Sequence, residues 1–186
     1  MKSDVPSLAQ QIREDRDVHG SWSHPGFHAV AVHRVGAWRW GLPTHTRKLV
    51  SALYRLASLW IRNSYGIVIP STVQIGRRVE IPYGGKVVIS GGVVIGDDCI
   101  LRHNVTIGAA RREEDVPTLG RHVAVGTGAV ILGKITIGDH AEIGPNAIVL
   151  TNVPENGTVF SDPSRVMVAP RAAWDEMQEI REKSNS

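Results

Sequence analysis

One register dominates this chain. An aliphatic residue returns at steps of six at Ile75, Ile81, Ile89, Ile95, Leu101, Ile107, Leu119, Val125, Ile131, Ile137, Ile143 and Val149. The residue after it is often glycine, as at Gly76, Gly96, Gly108, Gly120, Gly126, Gly138 and Gly144. Four residues after it stands a small or β-branched one: Val79, Val93, Cys99, Val105, Val123, Ala129, Ile135, Ala141, Ala147 or Val153. Two interruptions occur. Two extra residues fall between Ile81 and Ile89, and polar residues with a proline fill one whole repeat from Glu113 to Thr118.

A period of six is neither the helical nor the alternating-strand period. It predicts a mainly β protein, a parallel β-helix of short strands and corners. The aliphatic points inward and stacks on those of neighbouring coils, and the residue four on points into a tighter inward space. The residue after the aliphatic is expected at a corner, where glycine takes a positive φ at no steric cost. Three repeats make one triangular coil, so the span gives roughly four to five coils. Each coil hydrogen-bonds the next, which satisfies the buried backbone. Three parts are expected: a helical region over residues 1–66, the β-helix over 67–169, and a helix and tail over 170–186.

Composition narrows the function. The net charge of +3 is too small and scattered to argue for nucleic acid. The lone cysteine, Cys99, falls at an inward position, so no disulfide framework is possible and a buried structural thiol is expected. The N-terminus lacks the apolar core of a signal peptide. No apolar run is long enough for a membrane span, and a cytoplasmic protein is expected.

Ahead of the repeats, Ser7 to about Val18 reads as a short helix behind Pro6. His24-Pro25-Gly26 leads into a second helix with Phe27, Val30, Ala31, Val35 and Trp38 on one stripe, ended by Gly41-Leu42-Pro43. A third runs from about Thr44 to Asn63 with Leu49, Leu53, Leu56 and Trp60 at helical spacing. These stripes are expected to pack the helices on each other and on the end of the β-helix. His24, His28 and His33 have no Cys, Asp or Glu beside them, so no metal site is expected.

The segment from His24 to Trp38 resembles the last helices before the β-helix in serine acetyltransferases. The resemblance continues through Val105-Thr-Ile-Gly108, a loop ending in Pro117, Ala129-Val-Ile-Leu-Gly133, Gly144-Pro-Asn-Ala-Ile-Val149 and the closing Pro163-Ser-Arg165. Ile75-Gly-Arg-Arg78 and Leu101-Arg-His-Asn-Val-Thr-Ile-Gly108 also resemble colanic-acid-type polysaccharide acetyltransferases. The resemblance covers about Ile12 to Met167. It implies a left-handed β-helix, a homotrimer, and acetyl-CoA in the groove between subunits. The N-terminal helices are shorter than in hexameric relatives, so three subunits are expected. In the family the C-terminal tail ends in Ile and docks into the next enzyme of cysteine synthesis. This chain ends Ser-Asn-Ser, and no such complex is expected.

The resemblance also marks departures. In serine acetyltransferases a histidine before the two-residue insertion is the general base, supported by an Asp one coil earlier. Tyr83 and Val68 stand at those positions here, with Pro82 in place of the preceding acidic residue, and Val116 replaces a second active-site histidine. The serine-binding Asp of the helices corresponds to Asp17. Acetyl transfer to a hydroxyl needs a group that removes the proton as the oxygen attacks. His103, one coil and two residues beyond Tyr83, can reach the same groove, and a plain surface corner is its alternative. Tyr83 can donate a hydrogen bond but is a poor base at neutral pH. Asp115, on the excursion loop, is a candidate for acceptor binding, with simple solvation as the alternative. The resemblance carries Thr127, Gly128, Gly144 and Pro145 onto the pantetheine groove, and charge nominates Lys134 and Arg165 for the phosphates. His122 and His140 fall at matching corners and could stack.

The sequence therefore predicts an acetyl-CoA-dependent O-acetyltransferase acting on a sugar hydroxyl of a polysaccharide precursor or nucleotide sugar. Serine is the alternative acceptor, and a non-catalytic trimer that binds CoA or a partner is the alternative class.

Overall fold

The structure is a computed structural model that describes residues 6–162 and Lys183. The expected C-terminal helix over 170–186 and Arg165 lie outside the residues described. Three α-helices precede the repeats: α1 (Leu8–His19), α2 (Pro25–Trp38) and α3 (Thr44–Tyr65). Twelve short strands follow. They are β1 (Gln74–Ile75), β2 (Val88–Ile89), β3 (Val94–Ile95), β4 (Ile100–Leu101), β5 (Thr106–Gly108) and β6 (Thr118–Leu119), then β7 (Ala124–Val125), β8 (Val130–Leu132), β9 (Thr136–Ile137), β10 (Glu142–Ile143), β11 (Ile148–Val149) and β12 (Thr158–Val159).

The strands form three four-stranded parallel sheets, ordered β1-β3-β6-β9, β12-β10-β7-β4 and β11-β8-β5-β2. Successive strands pass from sheet to sheet, so the sheets are the sides of a prism. Within the prism Val88 pairs with Thr106, eighteen residues on, which is three repeats of six. Gln74 pairs with Val94, two residues further than that rule, because of the insertion before β2. Val94 pairs with Thr118, six residues further, because one repeat leaves the prism as the loop over 109–117.

Both inward columns fill the core. Ile81, Ile89, Ile95, Leu101, Ile107, Leu119, Ile131 and Ile137 are fully buried, as are Val79, Val93, Cys99, Val105, Val123, Ala129 and Ala141. Each buried aliphatic contributes about 1.5–3 kcal/mol. The Cys99 thiol donates toward the Gly120 carbonyl at 3.1 Å, and burial pushes its pKa up to about 11.

The corners differ from expectation. Positive φ does not fall on the glycine after the aliphatic. It falls two residues later, on Arg78 (φ 53°), Asp98 (59°), Asn104 (61°), His122 (56°), His140 (58°) and Asn146 (55°), joined by Gly92 and Gly128. Asn and Asp tolerate that conformation because their short side chains bond locally. The repeat glycines serve close approach instead. A Cβ on Gly126 would lie 2.7 Å from the Gly144 carbonyl carbon, and one on Gly96 would collide with the Gly120 carbonyl. Consecutive coils touch backbone to backbone there.

The helices cover the first coil. Arg34 of α2 pairs with Asp15 of α1 at 3.0 Å, both buried, and also donates to the carbonyls of Ile75 (2.7 Å) and Gly76 (2.5 Å). His33 donates from Nε2 to the Val73 carbonyl at 3.0 Å. Breaking one side of such a buried pair costs about 3–5 kcal/mol. The expected stripe of α2 is buried at Phe27 and Val30 and fails at Trp38, and that of α3 fails throughout. Trp38, Leu49, Leu53, Leu56 and Trp60 are exposed. The face of α3 turned to α2 is one residue on, through Val50, Tyr54, Ala57 and Ile61, and Gly36 makes room for the Tyr54 ring. Both faces repeat at helical spacing, so spacing alone did not separate them.

Two outcomes follow for stability. Gly96→Ala should lower the unfolding free energy by about 3 kcal/mol in a denaturant titration, since neither facing backbone can retreat. Burial lowers the His33 pKa to about 4. Between an unfolded value near 6.5 and that folded value, the unfolded chain binds a proton that the folded chain refuses. Stability is therefore retained above about pH 6.5 and lost as pH falls toward 4, by about 1.4 kcal/mol per unit at most. Thermal midpoints at neutral pH and near pH 5 should show this fall, and His33→Gln should flatten it.

Candidate active site

The prism has three edges with different chemistry. The edge between the β1- and β4-containing sheets is a charged ladder. Arg78 pairs with Asp98 at 2.6 Å, Arg121 with Asp139 at 2.8 Å, and the His122 and His140 rings stack 4.7 Å apart and 5° from parallel. The edge between the β2- and β1-containing sheets carries the loop over 109–117, with exposed Lys134 one coil beyond its base. Gly133 donates to the Gly108 carbonyl at 3.0 Å and so ties these coils together.

The remaining edge, between the β4- and β2-containing sheets, brings most of the sequence-predicted residues into one column. Tyr83, His103, Thr127 and Pro145 each stand two residues after an inward aliphatic on successive coils. Gly128 donates to the His103 carbonyl at 3.1 Å, and Asn146 to the Thr127 carbonyl at 2.8 Å, which locks their order. The Tyr83 and His103 rings meet edge to face, 5.6 Å apart and at 90°. Such pairs hold an aromatic ring in one orientation by about 0.5–1.5 kcal/mol. Among the described residues neither ring nitrogen of His103 has a hydrogen-bond partner. Below them Gly126 packs its backbone directly on Gly144 and Pro145, with no room for a Cβ.

The helices dock on this same corner. Gly26 abuts the Ile81 carbonyl, and Gly84 sits against the Pro25 ring, where neither could carry a Cβ. His19 donates from Nδ1 to the Asp15 carbonyl at 2.7 Å and accepts the Ile81 N–H on Nε2 at 3.1 Å. His24 caps α2 by accepting the Gly26 N–H on Nδ1 at 3.1 Å, so its Nε2 donates to the Pro82 carbonyl at 3.1 Å. Both imidazoles are committed to structure, and burial holds the His19 pKa below the ordinary histidine value. His19 escaped the sequence reading. The carbonyl it bonds on α1 is backbone, so no residue type at position 15 could have signalled it.

The other nominated residues lie apart. Asp17 is exposed and pairs with its neighbour Arg16 at 3.0 Å, while the carboxylate that α1 buries is Asp15. Asp115, in the loop, and Lys134 are on a different edge from His103. Two clefts sit beside the helices. One, of about 320 Å³, is lined by His33, Tyr54, Leu59, Ile67 and Pro70 and does not reach the His103 edge.

Comparison with known proteins gives this geometry a context. Residues 117–151 match the bacterial transferase hexapeptide (six repeats) family. The chain is 33% identical over 171 residues to a Helicobacter pylori serine acetyltransferase, covering 89% of this chain and 96% of that one. It is 43% identical over 105 residues to the putative colanic acid biosynthesis acetyltransferase WcaB of Escherichia coli, covering 56% and 65%. It spans 57% of the length of the Synechococcus elongatus serine acetyltransferase, at 36% identity over 77% of this chain. Among solved structures, soybean serine acetyltransferase complexed with serine superposes with a TM-score of 0.73 at 27% identity, covering 87% of this chain and 70% of that one. A serine acetyltransferase in complex with CoA superposes at 0.69 and 26% identity, covering 88% and 70%.

Nitrogen-15 spectra of the histidines test the division of labour on this corner. His19 should appear as the Nδ1–H tautomer and stay neutral below the pH at which a free histidine protonates. An Nε2–H signal for His19 would contradict it.

Proposed function

Because the chain belongs to the serine acetyltransferase family of hexapeptide-repeat transferases, we propose that it moves an acetyl group from acetyl-CoA to a hydroxyl. The observation that carries this reading is the Tyr83–His103 pair: an imidazole held against the Tyr83 ring with no hydrogen-bond partner on either nitrogen among the described residues, on the same edge as Thr127 and Pro145. In this reading a long, narrow ligand lies along that edge, held by backbone contacts at Thr127, Gly128, Gly144 and Pro145.

Acetyl-CoA supplies an activated acyl thioester. His103 takes the proton of the acceptor hydroxyl as its oxygen forms a bond to the acyl carbon. A backbone N–H of a neighbouring corner holds the charge that develops on the acyl oxygen. The protonated imidazole then returns its proton to the departing sulfur, so the base is restored. Tyr83 orients the ring. A general base is worth about 10²–10⁴ in rate.

The assembly is a cytoplasmic homotrimer of left-handed prisms. On one chain Asp115 and Lys134 stand on a different edge from His103. A groove between copies, with one edge from each, is the arrangement in which these residues share a ligand. Asp17 and Arg165 are further contacts for acceptor and phosphate in this reading.

The acceptor is a sugar hydroxyl of a polysaccharide precursor or nucleotide sugar. The absence of the family's histidine at Tyr83 and the match to the colanic acid relative support it. Serine is the second reading, favoured by the near full-length match to the Helicobacter pylori relative.

Thiol release from acetyl-CoA should be followed with serine and with a panel of sugars and nucleotide sugars. Turnover on a sugar and not on serine is expected, and turnover on serine alone would replace the first acceptor with the second. Measurable CoA binding without turnover on any acceptor would make the chain a non-catalytic trimer. His103→Ala should lower kcat by about 10² or more, and an unchanged rate removes His103 from the mechanism.

A further inference from the structure

Helix α3 carries a second apolar face, of which Leu49, Leu53 and Leu56 are covered by nothing among the described residues. Leu49, Leu53, Leu56 and Trp60 lie along one side of it and are 66%, 59%, 65% and 52% exposed. The face packed on α2 runs one residue later, so Leu49, Leu53 and Leu56 are turned away from it, while the Trp60 ring at the end of the strip meets the His28 and Tyr65 rings. Soluble proteins seldom leave such a continuous apolar strip in water without a use for it.

The charge on α3 indicates what would cover the strip. The helix contains Arg47, Lys48, Arg55 and Arg62 and no Asp or Glu. Lys48, Arg55 and Arg62 are exposed and seven residues apart, which sets them in a row beside the strip, where Arg55 and Arg62 also border the cleft against Ile67 and Pro70. Leu59, 44% exposed, lies between strip and row. Trp40 stands just ahead of the helix and Trp60 near its end, both more than half exposed. An apolar face with a basic flank and tryptophans at the margins is the pattern of a helix lying in the plane of a bilayer surface. A two-fold contact between copies of α3 would bring two such basic helices together with no acid on either to pair them. Among the described residues no helix is long and apolar enough to cross a membrane, so a surface position is the one this helix fits.

We propose that α3 docks the protein on an anionic lipid surface. The Leu49–Trp60 strip enters the headgroup boundary and the Lys48–Arg55–Arg62 row faces the acidic headgroups. This does not depend on the transfer chemistry proposed above.

The full chain should be floated with phosphatidylcholine vesicles containing about one quarter phosphatidylglycerol, and with phosphatidylcholine alone. Each basic side chain near an anionic surface is worth about a fivefold factor in partitioning. Wild type should float with the anionic vesicles and not the neutral ones. L53D/L56D and K48E/R55E should each weaken partitioning by about tenfold or more, with solution mass by light scattering unchanged. Failure of wild type to float with anionic vesicles overturns the proposal. So does a change of solution mass in L53D/L56D without lipid, which would make the strip a contact between copies. Equal flotation of wild type and both variants overturns it as well.

Discussion

A stack of parallel coils has a beginning, and the first coil meets no coil before it. Its outward carbonyls and amides would be left as a raw sheet edge, which costs stability and invites pairing with other chains. Here side chains of two helices stand in for the missing coil. His33 takes the Val73 carbonyl, Arg34 the Ile75 and Gly76 carbonyls, His19 the Ile81 amide, and His24 the Pro82 carbonyl. Asp15 neutralises Arg34, so a cation can be buried there at all. These residues would look odd on an apolar helix face, and each is accounted for by a backbone group of the prism.

That same docking defines the corner where the chemistry is proposed. The chain leaves the regular register between Ile81 and Val87, and α2 presses Pro25 and Gly26 against this irregular turn. Tyr83 is held where its ring meets His103 of the next coil. The three edges of one prism then part company. The charged ladder of Arg78, Asp98, Arg121 and Asp139 neutralises itself within the chain. The Tyr83–His103 edge has aromatic order, with no partner for the imidazole nitrogens among the described residues. The third edge extends a polar loop.

The prism was legible because a period of six states which residues face inward, and both inward columns are buried as that period requires. The corner was less legible. Glycine in a repeat signals either a positive φ or a close approach, and the residue type does not say which. The collisions that a Cβ would make at Gly96 and Gly126 decide for close approach. The helices were legible in extent, and α3 was misread in orientation. Val50–Ile61 and Leu49–Trp60 repeat at the same spacing, and only the position of α2 and Gly36 selects the buried one. Of the candidate site, the place of His103 one coil beyond Tyr83 followed from counting repeats, whereas Tyr83, Thr127 and Pro145 were nominated by the family resemblance. The role of His19 did not, since a histidine on a charged helix gives no sign of the amide sixty-two residues away that it will accept.

The claim that helix side chains replace a missing coil can be met directly by native-state hydrogen exchange on Arg34→Ala. Loss of the cap should let the first coil open by itself. The amides of Val68, Gln74, Gly76 and Glu80, which bond to the second coil, should exchange markedly faster than in the wild type. Those of Thr118, Gly126 and Val130, in later coils, should keep their protection. Unchanged exchange in the first coil, or an even rise along the whole prism, would contradict the account.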